Sequence, residues 1–336
     1  MSAETQKGVD AVPRKASLDV LRKVLPQKAV NAAAARSDLE GGKQAAFHGA
    51  CIAATAAALW AAFCSQVLVL EVAAFVAHAF VLSFLFMPLH EAVHGSVFRT
   101  AFLNKALAWV AGTATMRPPR FYLLYHYQHH KYTGDPEKDP ELAETLTDFS
   151  IDNWANYLLY LSSLPFWYGV FTSHYRHAMG NVNESFLQTP RAQADVSTEA
   201  RQQVAFYVVV LLVSAWLRWD GALWYWLLPT LAGQPFLRFY LLAEHHGCSR
   251  GANMLLNTRT TATFAWYRRL AWNMPYHAEH HAWPGVPFHG LPAVHRMVLA
   301  SPGGREYLLS GCDPTGDDGY IAVNRGLTRH FTGKAA

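Results

Sequence analysis

Residues 45–89 read AAFHGACIAATAAALWAAFCSQVLVLEVAAFVAHAFVLSFLFMPL, and Glu71 is the only carboxylate, lysine or arginine among them. A helix that crosses a membrane needs about 20 apolar residues, so this run is long enough for two. The polar pair Ser65-Gln66 divides it. The expectation is a helical hairpin with spans over about 45–65 and 67–89. A second apolar pair covers about 204–218 and 222–243, divided by Arg218-Trp219-Asp220-Gly221. Pro229 and Pro235 are placed to kink its last helix.

Composition supports an all-α integral membrane fold. The 336 residues are 51% hydrophobic and only 15% charged, against about a quarter in ordinary soluble chains. Eleven Trp and 15 Tyr suit membrane–water boundaries. Mean hydropathy is near zero, so a sizeable polar part accompanies the spans. A net charge of +4 without a basic stripe argues against a nucleic-acid partner. Cys51, Cys64, Cys248 and Cys312 are scattered, which fits neither a disulfide framework nor a zinc ribbon.

Residues 1–43 are polar, lack the apolar stretch of a signal peptide, and read as a cytosolic tail. Residues 44–295 form the membrane domain, and 296–336 its C-terminal cytosolic tail. Lysine and arginine concentrate on the cytoplasmic side of membrane proteins. The first tail carries eight of them, whereas the two short turns carry only Arg218. Both termini and the middle segment are therefore expected in the cytoplasm, with four spans in two hairpins. Two further apolar runs, 101–116 and 153–173, are read as interfacial helices. If either crossed, the histidine clusters would fall on opposite sides.

Those clusters are four. LHEAVHG carries His90 and His94; YHYQHHKYTGDPEKDPE carries His126, His129 and His130; AEHHG carries His245 and His246; WNMPYHAEHHAWPGVPFH carries His277, His280 and His281. Residues at i, i+3 and i+4 share one face of a helix. Three helical faces can thus bring eight imidazoles to one place, and His245, taken ahead of His246, makes nine. Neutral imidazole is a ligand for zinc, copper, iron or nickel. Four ligands close a zinc site, so nine suit two ions with room left for water or oxygen. Two irons answer best to oxygen activation. The Glu-x-x-His pattern of soluble di-iron bundles is missing.

HEAVH, HYQHH and HAEHH, in that order, resemble the three histidine boxes of the membrane fatty acid desaturase family. The flanks HHKYTGDPEKDPE, NTRTT and WNMPYHAEHHAWPGVPFHGLP strengthen the likeness, which covers roughly residues 45–295. The resemblance implies that the box histidines ligate two Fe ions, with His245 at the family position between the last span and the third box. It implies O2 as co-substrate, a lipid or acyl substrate, and electrons from a separate ferredoxin or cytochrome b5-like donor. No His-Pro-Gly-Gly heme motif of a fused donor is present. Related hydroxylases, ketolases and desaturases of small, amino-acid-like molecules share the boxes, so those activities stay open. A metal-binding or transport protein is the alternative from another class.

Carboxylates beside the ligands should orient the imidazoles. Glu91, Glu244, Glu279, Asp135 and Asp139 are the candidates, Glu244 first. Asn273 could reach a metal through water or could serve as a cap. His174 and His177 read as interfacial residues, His48 and His78 as packing histidines inside spans, and Glu71 as reaching the headgroups.

Overall fold

The computed structural model describes residues 24–143, 151–248, 254–301 and 319–331. Most of the expected N-terminal tail and part of the C-terminal one lie outside these residues. The described elements are helical, with no β-strand among them and one isolated bridge between Ala262 and Gly319. In chain order the helices are α1 (Gln27–Ala33), α2 (Asp38–Ser65), α3 (Leu68–Ser83), α4 (Phe86–Val93), α5 (Ala101–Ala114), α6 (Pro119–Tyr132) and α7 (Pro140–Ala143). They continue with α8 (Trp154–Ser162), α9 (Leu164–Ala178), α10 (Pro190–Leu217), a π-turn over Leu223–Leu227, and α11 (Leu228–His245). Last come α12 (Ala265–Leu270), α13 (His277–Ala282), α14 (Leu291–Ala300) and α15 (Tyr320–Phe331).

Three helices are long and apolar enough to cross a membrane: Asp38–Ser65, Leu68–Val93 and Pro190–Leu217. Their apolar side chains face outward, with Leu68, Val69, Leu212 and Trp216 among the most exposed. In a water-soluble protein such a belt would be costly; against lipid it is favourable. The first turn falls at Gln66, in the left-handed region at φ 53°, where Ser65-Gln66 was expected. Arg218, at φ 51°, ends α10 in the same way.

Two boundaries differ from expectation. The helix expected from 45 begins at Asp38, and the one expected from 204 begins at Pro190. Pro190 suits the first helical position, where its missing N–H costs nothing. The Thr189 hydroxyl caps that end by accepting from the Ala192 amide at 3.2 Å. Hydropathy locates the apolar middle of such a helix and misses its polar first turns. The fourth expected span, 222–243, is helical as the π-turn followed by α11, but it is not among the three helices apolar enough to cross. Neither 101–116 nor 153–173 forms a helix of spanning length. The second run is broken at Ser163, whose φ is 61°.

By its internal contacts the chain divides into two compact units. The hairpin unit comprises Asp38–Tyr125 and Leu159–Arg238. Within it α2 and α3 pack side by side, as do α9 and α10. Gly233 on α11 lets two backbones touch, because a Cβ there would lie 2.2 Å from the carbonyl oxygen of Ala79. Such small-residue contacts are common between membrane helices.

Both prolines of the last helix pair leave a carbonyl without its helical donor four residues back, and another helix supplies one each time. His78 on α3 donates through Nε2 to the Tyr225 carbonyl at 2.9 Å, opposite Pro229. Its Nδ1 lies 2.8 Å from the Thr55 hydroxyl. Trp167 donates its indole N–H to the Leu231 carbonyl at 3.3 Å, opposite Pro235. His48 similarly donates to the Val81 carbonyl near the end of α3, at 3.2 Å. The two histidines read as packing residues inside spans thus have hydrogen-bonding work.

His174 and His177 were expected at an interface but are buried and paired. His174 Nε2 lies 3.1 Å from the Gln203 side-chain oxygen, and His177 Nε2 lies 2.7 Å from Glu184. Their position after an aromatic helix hid the polar partners on α10 and the following loop.

The second unit holds the described residues of Met1–Ser37, His126–Leu158 and Phe239–Ala336. Arg259 caps the end of α11, its amide on the Glu244 carbonyl at 2.8 Å and its guanidinium on the carbonyls of Ala243 and His246. The Tyr157 hydroxyl donates to Asn324 at 3.0 Å and ties α15 to α8. Gly290 is required where α14 begins, since a Cβ would sit 2.3 Å from the Ala33 carbonyl oxygen of α1.

Candidate metal centre

Seven of the nine expected ligands fall in this second unit. His126, His129 and His130 occupy the end of α6, His245 ends α11, and His277, His280 and His281 lie along α13. All are buried except His245, which is half-buried. They form two adjoining groups. The ligand atoms of His126, His130 and His280 lie within 4.8 Å of one another, and so do those of His129, His245 and His281. The rings of His130 and His281 stack at 4.1 Å and join the groups. His277 meets His245 with the two Nε2 atoms 3.2 Å apart. His246 belongs to none of these groups among the described residues.

The surroundings decide which nitrogen each ring offers. Thr133 has one hydroxyl proton and gives it to the His129 carbonyl at 2.7 Å. It can therefore only accept from His281 Nδ1, 3.2 Å away. His281 Nε2 is left with its lone pair, buried and without a hydrogen-bond partner among the described residues. His245 Nδ1 donates to the Asn257 carbonyl at 3.1 Å, which likewise leaves Nε2 as the free base. Asn257 is itself held by its amide on the Thr133 carbonyl at 3.0 Å. His277 turns its Nδ1 toward Glu244 Oε1 at 3.4 Å. Lone pairs facing at this range repel unless a cation lies between them. With metal–nitrogen bonds of about 2.0–2.1 Å, two ligands at right angles would stand roughly 3 Å apart. His126 and His130 Nε2, at 3.0 Å, and His245 and His277 Nε2 have that spacing. The donor set fits a metal.

His129 is supported by acids. Its Nδ1 lies 2.9 Å from Asp139 and 3.0 Å from Glu141. Burial alone would lower its pKa, but the carboxylates of Glu141 and Asp139 outweigh it and raise the ring to about 9. Asp139 is held below its ordinary value against burial, by His129 and by the amides of Gly134 and Glu141. For His281, burial and then the neighbouring imidazoles push the pKa well below its ordinary value. It is neutral at pH 7, the state a metal ligand requires, whereas His129 carries a proton that metal binding must displace.

The other expected residues divide. Glu279 is buried, takes hydrogen bonds from His295 and Thr260, and braces α13 rather than a box imidazole. Asp135 accepts from the Glu137 amide and pairs with Lys138, which makes it a turn residue. Asn273 stands at φ 59° and donates to the Phe288 carbonyl at 3.0 Å, a structural role. Glu141, Thr133, Asn257 and His295 were not foreseen. The only signal for the first three was their place in the quoted flanks. In the hairpin unit, His90 and His94 lie one turn apart with ring centres at 5.4 Å, and buried Glu91 lies 3.8 Å from His90 Nδ1.

Residues 65–308 match the family model described as fatty acid desaturase. The chain belongs to the fatty acid desaturase family. Members of this family generally depend on iron, and the three helices of spanning length agree with a membrane protein. The chain is 26% identical over 227 residues to dihydrorhizobitoxine desaturase of Bradyrhizobium elkanii, covering 64% of this chain and 63% of the relative. It is 27% identical over 219 residues to human sphingolipid delta(4)-desaturase/C4-monooxygenase, covering 63% and 60%. With sphingolipid delta(4)-desaturase of Candida albicans the identity is 24% over 225 residues, covering 64% and 58%. The chain thus spans about three-fifths of the length of these relatives.

Proposed function

We propose that this desaturase-family chain introduces a double bond into an acyl chain of a fatty acid or lipid, using O2 and electrons from an external ferredoxin or cytochrome b5-like donor. His90, His94, His126, His129, His130, His245, His277, His280 and His281 would hold two irons. His90 and His94 enter through the first histidine box. When bound, iron supplies the oxidising power to take hydrogen from an unactivated carbon, which no side chain has. The chain's own part is to fix the imidazoles and keep the site dry. Thr133, Asn257, Asp139 and Glu141 do the first; burial of the ligand rings does the second. The observation that carries this reading is the pair of adjoining imidazole groups, in the second of which the Nδ1 atoms of His129, His245 and His281 are tied to acceptors.

The four-span arrangement, with both tails and the histidines on the cytoplasmic side, completes the proposal. A second reading is hydroxylation, which begins with the same hydrogen abstraction. It is favoured by the human relative, whose name joins a desaturase to a C4-monooxygenase. A small amino-acid-like substrate is the third reading. The deciding experiment measures metal content of purified, detergent-solubilised protein and analyses products by mass spectrometry. Two irons per chain and a product lighter by two hydrogens support desaturation. A product heavier by one oxygen supports hydroxylation. One zinc, or no metal, overturns both.

A further inference from the structure

In the hairpin unit two arginines share one aromatic ring. The guanidinium carbons of Arg117 and Arg238 lie 4.6 Å and 4.5 Å from the ring centre of Phe166. Arg117 also covers Phe86 at 5.0 Å, and Arg238 covers Tyr160 at 5.0 Å. Among the described residues, the arginine–carboxylate pairs of this unit involve Arg120 and Arg176, not these two. Aromatic faces offset part of a cation's desolvation but carry no countercharge. Burial, and then the charge of Arg238, lower the Arg117 pKa to about 9, so it stays charged at neutral pH. Two like charges kept close in a partly dry place are unfavourable without an anion.

A second observation points the same way. Gln234 is 3% exposed. Its side-chain oxygen accepts from Arg117 at 3.0 Å, which fixes the amide's orientation. Among the described residues its Nε2 then has no acceptor, and neither has the buried Nε of Arg238. Gln234 and Arg238 are four residues apart on α11, on one helix face. Buried donors are nearly always satisfied, so this cluster of N–H groups and positive charge lacks an acceptor of opposite charge. Guanidinium groups suit carboxylates and phosphates, which they can bind through two parallel hydrogen bonds.

We propose that Arg117, Arg238 and Gln234 form a binding site for the oxyanion head, carboxylate or phosphate, of an acyl lipid. The choice of an acyl lipid rests on the desaturase reading; the anion does not. Phe86 opens α4, and His90 follows one helical turn later on the same helix. An anion held against Phe86 therefore lies close to the first histidine box.

The test measures binding of tritiated palmitate to the full chain in a neutral detergent. Competitors are unlabelled palmitate, 1-palmitoyl lysophosphatidate and hexadecanol, which has the same chain without charge. Hydrogen bonds to charged groups contribute about 1.5–3 kcal/mol, equivalent to roughly tenfold to hundredfold in affinity. Wild type should thus prefer at least one anion over hexadecanol by about tenfold or more, and the better anion identifies carboxylate or phosphate as the head. Arg117→Gln and Arg238→Gln should reduce that preference to within about threefold, while Arg238→Lys keeps most of it. Absence of palmitate binding, or a wild type that does not distinguish anion from alcohol, overturns the site. So does a preference that survives both glutamine variants. If those variants do not fold, the wild-type preference decides alone. Binding is read without turnover. An inactive protein that keeps the preference discards the desaturase reading and retains the site; an active one without it does the reverse.

Discussion

Thr133 shows how much a single hydroxyl can decide. Thr133→Val keeps the shape but frees His281 to protonate either nitrogen. The expected result is about a 10–100-fold loss of iron affinity with unchanged helicity, measured by competition with a chelator; Thr133→Ser should restore most of it. Residues of this kind were hardly legible in the sequence. The proposed ligands stood out because imidazoles at helical spacing are rare in an apolar chain. Asp139 stood out as an acid following the second box. Asn257 did not, because it serves His245 through its backbone carbonyl, which no side-chain pattern encodes. Away from the site, His177 and Arg176 hold Glu184. Burial would raise the Glu184 pKa, yet these hydrogen bonds bring it down to about 2. Its folded pKa lies below its ordinary value of 4.5. The stability it contributes is therefore present above that value and lost as pH falls toward 2. Acid melts of Glu184→Gln should be flatter than wild type across this window.

At the scale of helices, the proline carbonyls make a test of their own. Removing His78 as His78→Leu leaves the half-buried Tyr225 carbonyl without that donor, at a cost of about 1 kcal/mol. In a Pro229→Ala background the helix can provide its own N–H, so the same change should cost less. A double-mutant cycle on thermal or denaturant stability should give coupling of roughly 0.5–3 kcal/mol; additive effects would mean that His78 only packs. Trp167→Phe with Pro235→Ala is the parallel pair. Hydropathy made the apolar centres and turns of the spanning helices legible, down to Gln66 and Arg218. It could not reveal that His78 and Trp167 complete backbone hydrogen bonds of a helix far along the chain, since only folding makes them neighbours. It also passed over Arg117 and Arg238, whose meaning depends on sharing Phe166.

For the molecule as a whole, metal should matter unevenly. Seven imidazoles crowd one unit, and with the Nε2 of His245 and His281 left as free bases the proposed irons would hold them together. Stripping iron with a chelator should therefore raise amide exchange around 126–141 and 254–283. The lipid-facing helices Asp38–Ser65 and Pro190–Leu217 should keep their protection. Hydrogen–deuterium exchange resolved by peptide checks this, and uniform loosening would count against it. The second histidine box meets Asp139 and Glu141 within its own stretch of chain, but its Thr133 must wait for His281, which comes 148 residues later. At about 5–20 residues per second on the ribosome, that interval is roughly 7–30 s. The half-built cradle meets the cell's metals before its missing donors exist. On the proposed two-iron reading, loading follows synthesis, and iron supplied to the finished chain should serve as well as iron present throughout translation.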